Sequence, residues 1–165
     1  MSTLLRATTQ RYCFSCDLAA KQDVVQRCGE CGSPLSLRSE ASPDAGLFAE
    51  APASQWHYRA LLPEIPERCI VSLGEGATPL LRSVSNLGLP GANISIKNEA
   101  GNPSGSFKDR QISVGISHAR AMGKDTVAVV SSGNVACAAA AFAAKAGMRA
   151  IVMTHARKSV PARYS

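Results

Sequence analysis

Asp125-Thr-Val-Ala-Val-Val-Ser-Ser-Gly-Asn134 decides how the second half of the chain folds. Thr126–Val130 is a continuous apolar run rich in Val, as expected of a strand covered on both faces. After it, Val135–Ala146 reads as a helix, with Asn134 expected as its N-cap and Gly147 at the C′ position. Ala150–Met153 reads as the next strand. Working upstream, Phe107–Met122 reads as a helix with Ile112, Ile116 and Ala119 on one face, stopped by Gly123. Ile94–Lys97 reads as a short strand before it. This β-α-β-α-β order predicts an α/β fold, an open parallel sheet with flanking helices and right-handed crossovers. No helix follows the last strand, so the sequence is expected to be the N-terminal portion of a longer protein.

The 165 residues are 45% hydrophobic and 18% charged, which excludes a disordered tail, a collagen or a polar repeat. The formal charge is +6. The positives are scattered, however, and only Arg157–Arg163 is locally basic, which reads as a solvated segment and not as a nucleic-acid site. No apolar run approaches the ~18 residues of a membrane span; the Ala-rich stretch is closed by Lys145 and Gly147. Ser2–Arg6 carries no hydrophobic signal region. The expected compartment is cytoplasmic, with neither membrane nor nucleic acid as a partner.

Four of the six cysteines lie between Cys13 and Cys31. Cys13-Phe-Ser-Cys16 and Cys28-Gly-Glu-Cys31 are two C-x2-C knuckles, and together they can offer four thiolates to one metal, the tetrahedral preference of structural Zn²⁺. Gly29 and Gly32 suit the tight turns of such a knuckle. Free thiols, a disulfide pair or iron are the competing readings. All four ligand positions would be filled by protein, so catalysis at the metal is not expected. Residues 1–38 are thus expected to form a small zinc-ribbon module. Residues 39–55, rich in small residues and proline, read as a linker, and 56–165 as the beginning of a larger domain.

Several common motifs fail. Gly101-Asn-Pro-Ser-Gly-Ser-Phe-Lys108 lacks the G-x4-G-K-[ST] spacing of a nucleotide loop, and no G-x-S-x-G elbow occurs. His57, His118 and His155 are isolated. Lys108 remains. It opens the first long helix at the sheet edge where α/β proteins bind ligands. A helix N-terminus disfavours its ammonium by only about 0.3–1 kcal/mol, so the dipole alone does not make it a nucleophile. Alone, it reads as a solvated first-turn lysine. Ser131-Ser-Gly-Asn134 enters the next helix at the same edge and offers hydroxyls and free amides as an anion cradle, or an ordinary N-cap turn.

Leu73-Gly-Glu-Gly-Ala-Thr-Pro-Leu80, Lys97-Asn-Glu-Ala-Gly-Asn-Pro-Ser-Gly-Ser-Phe-Lys-Asp-Arg110 and Ser131-Ser-Gly-Asn134 together resemble the fold-type II pyridoxal-phosphate enzymes, the tryptophan synthase beta-like group. Threonine synthases are the nearest of these. Trp56-His-Tyr-Arg-Ala-Leu-Leu-Pro63 and the four-cysteine ribbon are similar to bacterial and archaeal threonine synthases. The resemblance implies that 56–165 is the N-terminal part of a catalytic domain and that pyridoxal 5'-phosphate is held covalently by Lys108, which later shuttles protons. It also implies that Asn134 hydrogen-bonds the cofactor's phenolic oxygen, that Phe107 packs near the cofactor, and that Ser131 and Ser132 help hold a substrate carboxylate.

The implied substrate is a small amino acid, O-phospho-L-homoserine, converted with water to L-threonine and phosphate. The family's glycine-rich loop for the cofactor phosphate is not in these residues, and Val135 stands where some relatives carry Thr. Little or no activity is therefore expected of the 165 residues alone. A related lyase or β-replacement enzyme (threonine dehydratase, cysteate synthase) and a non-catalytic zinc-ribbon binding protein are the alternative readings.

Overall fold

The computed structural model describes residues 9–20, 27–39, 53–82 and 92–155. Most of the expected linker and all of the basic segment 157–163 lie outside them. The chain divides into two compact units, Met1–Glu50 with Tyr58–Glu64, and Ala51–His57 with Ile65–Ser165.

In the first unit, β1 (Thr9–Cys13), β2 (Leu18–Ala19) and β3 (Ser36–Ser39) form a small antiparallel sheet in the order β2-β1-β3. Tyr12 opposes Ala19 on one side and Ser36 on the other. The β1–β2 turn places Asp17 at φ 54°, and the Tyr12 hydroxyl donates to its carboxylate. The Arg38 guanidinium sits 4.3 Å above the Tyr12 ring. A core this small has little apolar area to bury, so sheet and stacking alone give it marginal stability.

The second unit carries β4 (Leu80–Arg82), β5 (Ser95–Lys97), α1 (Lys108–Ala121), β6 (Thr126–Val130), α2 (Asn134–Ala146) and β7 (Arg149–Met153). β6 and β7 pair in parallel, from Thr126 opposite Arg149 to Val130 opposite Met153, with α2 as the crossover. The α/β class with a parallel sheet is therefore as expected from the sequence. β5 behaves differently: it pairs antiparallel with β4, Leu80 opposite Lys97. The Asn98 amide extends this ladder by donating to the Pro79 carbonyl at 2.9 Å, so that edge of β5 is already occupied. Nor is β6 covered on both faces among the described residues. Val127 packs against the core, whereas Val130 is 80% exposed.

The core joins Val71, Ile116, Phe142 and Ala143, with Ile112, Val127, Met148 and Ala150 packed around them. Ala138, Ala139 and Ala143 on α2 are fully buried, and α1 packs against α2. The buried face of α1 is more polar than its apolar spacing suggested, because Ser113 and Ser117 lie in it beside Ile116. Their hydroxyls serve one extended residue. Ser113 donates to the Val71 carbonyl and Ser117 accepts the Val71 amide, each at 2.8 Å. Buried backbone groups require partners, and here helix side chains supply them.

α2 ends as expected, with Gly147 at φ 68° and Met148 donating to the Ala143 carbonyl at 2.9 Å. Its start differs. Gly133 holds the cap position, Asn134 is the first helical residue, and no side chain caps the helix. Ser131 instead accepts the Gly133 amide at 3.2 Å and tightens the turn one residue earlier. In the cysteine knuckle, Gly32 adopts φ 71°, the left-handed region that favours glycine, whereas Gly29 needs no such freedom.

Candidate active site and metal centre

The turns just before α1, together with Gly76 and Thr78, hold its first turn. Residues 99–106 form a tight sequence of turns, with the Gly105 amide bonded to the Asn102 carbonyl at 2.8 Å and Gly105 itself at φ 80°. Asn102 is 4% exposed, and its side chain is fully used. Its oxygen accepts the Gly76 amide at 3.0 Å, and its nitrogen donates to the Glu99 carbonyl and carboxylate, each at 2.9 Å. Arg110 binds both oxygens of Glu99 and reaches the Gly76 carbonyl at 2.9 Å and Thr78 Oγ1 at 3.2 Å. The Arg110 guanidinium holds the Glu99 carboxyl down at about 2, with Thr78 and Asn102 assisting. Asp109 is fully buried; it accepts the Ser104 amide at 2.6 Å and the Ser104 hydroxyl.

A second knot lies alongside. Glu75 is fully buried yet accepts four donors: Gln55 Nε2 at 3.2 Å, Trp56 Nε1 at 3.0 Å, Ser72 Oγ at 3.0 Å and the Leu73 amide at 2.9 Å. Trp56 Nε1 also reaches Ser113 Oγ at 2.9 Å, tying this loop to the middle of α1. Gly76 permits the closest approach. At φ 106°, a Cβ there would stand 2.6 Å from the Gln55 backbone nitrogen.

Lys108 is the first residue of α1, half-buried, with its amide 3.3 Å from Ser106 Oγ. Its ammonium lies 4.3 Å from the centroid of the exposed Phe107 ring and, among the described residues, pairs with no carboxylate. A lysine held by a rigid element, with no carboxylate tying up its Nζ, can be presented to an aldehyde, and an aromatic face beside it suits a planar ring. Such residues fit pyridoxal phosphate.

The Ser131–Asn134 turn comes at the end of β6, with Ser132 and Asn134 exposed and Ser131 half-buried. Lys108 and Asn134 are the first residues of α1 and α2, the two helices that pack against each other. No hydrogen bond joins Lys108 to Ser131, Ser132 or Asn134.

In the first unit, the sulfurs of Cys13, Cys16, Cys28 and Cys31 all lie within 4.8 Å of one another. Cys13 and Cys31 are 3.6 Å apart, and Cys16 and Cys28 4.0 Å. A zinc ion bound by thiolates at ~2.3 Å has a tetrahedral edge of about 3.8 Å, so the donor set fits Zn²⁺ in type and spacing. The thiols are unlike one another. Hydrogen bonds from Ser33 bring Cys31 down to about 6, whereas the hydrogen bond with Cys31 pushes Cys16 up to about 12. The amide of Cys28 is anchored to the Ser33 carbonyl at 2.8 Å, which closes the second knuckle.

Glu75, Glu99, Asn102, Asp109 and Arg110 are anchors that sequence alone does not identify, although they lie within segments 73–80 and 97–110. Their signal was polar residues packed into Gly- and Pro-punctuated loops, which by itself marks turns and not partners.

A family model described as pyridoxal-phosphate dependent enzyme matches residues 71–164, more than half of the chain and the whole of the α1–β7 segment. The chain belongs to the pyridoxal-phosphate dependent enzyme family. Within it, the chain is similar to the threonine synthase of Methanocaldococcus jannaschii, 34% identical over 149 residues, or 86% of this chain and 36% of the relative. That of Methanosarcina acetivorans is 36% identical over 154 residues, 88% and 37% respectively. That of Halalkalibacterium halodurans is 41% identical over 106 residues, 61% and 30%. The chain thus spans about a third of the length of these relatives in the family. Among the described residues, no helix is long and apolar enough to cross a membrane.

Proposed function

We propose that this chain carries the lysine-bearing segment of a threonine synthase-like lyase, converting O-phospho-L-homoserine and water to L-threonine and phosphate in the cytoplasm. The observation that carries the reading is Lys108: first in α1, half-buried, beside an exposed aromatic ring, and without a carboxylate partner among the described residues. The names of the similar relatives support the substrate class.

Pyridoxal phosphate, when bound, supplies an electron sink without which an amino-acid Cα–H is far too weak an acid for any side-chain base. The chain's own residues divide the remaining work. Lys108 would hold the cofactor and, once displaced by substrate, carry protons at its Nζ. Phe107 would pack against the ring, and the Asn134 amide would hydrogen-bond its phenolic oxygen. Ser131 and Ser132 would receive the substrate carboxylate at the N-terminus of α2, where free amides and the helix dipole favour an anion. Cys13, Cys16, Cys28 and Cys31 would bind Zn²⁺ as a structural centre, with apparent binding energy on the order of 10–16 kcal/mol available to fold the small unit. The 165 residues by themselves are expected to turn over weakly or not at all, since they span about a third of the relatives' length.

Borohydride reduction in the presence of pyridoxal phosphate, followed by peptide mapping, tests the reading. A label on Lys108 that Lys108→Ala abolishes supports it, and a label confined to other lysines overturns it. Phosphate release from O-phospho-L-homoserine above that from O-phospho-L-serine, weak as turnover by these residues alone is expected to be, tests the substrate.

A further inference from the structure

Lys108 has neighbours that are bound far more tightly than it is. Asp109 is fully buried and holds Ser104 through both its amide and its hydroxyl. Arg110 holds Glu99 at 2.7 and 2.8 Å, and also the Gly76 carbonyl and Thr78. Its own carbonyl accepts Gln55 Nε2 at 3.0 Å. Successive helical side chains depart about 100° apart, so Asp109 and Arg110 are anchored about 100° and 200° around the axis from Lys108. With those two directions tied to the 99–106 turns and to Gly76 and Thr78, the first turn of α1 is held against rolling about its axis and sliding along it. The direction in which Lys108 leaves the helix is thereby set.

We propose that Asp109 and Arg110 are positioning residues for Lys108, fixing the bearing of its amine without touching the reacting atoms. The relevance of that bearing to chemistry rests on the function proposed above. A rigid first turn matters because an amine displaced by about 1 Å from a reacting carbon can lose up to about a hundredfold in rate. Arg110 is suited to the task by its planar fork, which grips a carboxylate in one orientation; a lysine would keep the charge and lose the orientation.

The test uses the 165-residue chain and trace acetylation with acetic anhydride, read lysine by lysine by mass spectrometry. Lys124 and Lys145, which stand outside this network, serve as internal references. In Arg110→Lys and Asp109→Asn, the acetylation rate of Lys108 relative to those two lysines is expected to change by about fivefold or more, with an altered pH profile. Ser104→Ala, which removes one hydroxyl and keeps the backbone bond to Asp109, should move the ratio in the same direction by a smaller factor. It provides a readable variant if the others fold poorly. Lys124 and Lys145 are exposed already in the folded chain, so a general loss of structure is read separately, by circular dichroism of each variant. A Lys108 ratio unchanged within about twofold in every folded variant would overturn the proposal.

Pyridoxal phosphate trapping on the same proteins separates the two readings. Trapping on Lys108 that falls in the variants supports both. Trapping elsewhere in the unaltered chain sinks the cofactor assignment, and the acetylation ratio still decides whether Asp109 and Arg110 position the amine.

Discussion

The Arg110 guanidinium engages both oxygens of Glu99, Nε at 2.8 Å from Oε2 and one Nη at 2.7 Å from Oε1. Both side chains are about a quarter to a third exposed, so solvent screens the pair, and its geometry matters more than its charge.

That pair has a pH signature. Glu99 titrates at about 2 in the folded chain, against 4.5 for an unperturbed group, with Arg110 as the main cause. A depressed carboxyl contributes stability that is fully present above the unfolded value and lost as pH falls through the folded one. Chemical denaturation of the unaltered chain and of Glu99→Gln should therefore differ by a constant amount above pH 4.5 and converge between 4.5 and 2. A difference independent of pH across that window would contradict the assignment.

Glu75 tests a buried acceptor. Glu75→Leu would leave Trp56 Nε1 with only Ser113 and would strip the Leu73 amide of its partner, at a cost of about 2–4 kcal/mol. Glu75→Gln keeps the volume but turns one acceptor into a donor facing donors, at about 1–3 kcal/mol. Urea midpoints, with Trp56 fluorescence as the local probe, give both values.

Phe142 is fully buried at the centre of the cluster with Val71, Ile116 and Ala143. Phe142→Ala should destabilise the second unit by about 3–5 kcal/mol, and Phe142→Leu by distinctly less. Thermal melts followed by circular dichroism measure the difference.

Metal content is the simplest measurement. About one equivalent of zinc per chain is expected, falling to near zero in Cys13→Ser. Zinc should also be released as pH falls, because protons compete for the thiolates. A chelator should remove the antiparallel sheet signal of the first unit; a unit that stays folded without metal would refute a structural role.

The elements with strong local periodicity are legible in the sequence alone: β6, α2 and β7 lie within a residue of their expected ends. The four thiols are legible as well, since two short knuckles bring their ligands together by spacing alone. The pairing of β5 with β4 is not, because it depends on a three-residue segment, Leu80–Arg82, that carries no periodic pattern. The polar face of α1 was missed for a related reason. Ser113 and Ser117 resemble surface serines until Val71, more than 40 residues earlier, is found between them. Lys108 was conspicuous only through its motif. The anchors on either side of it became visible when the turns were folded.

Val71 has its amide and carbonyl clasped by two hydroxyls one turn apart on α1, where a neighbouring strand would ordinarily stand. Its amide hydrogen can exchange with deuterated water only when that helix lifts away. A single slow-exchanging site thus becomes a gauge of how often α1 detaches from the body beneath it.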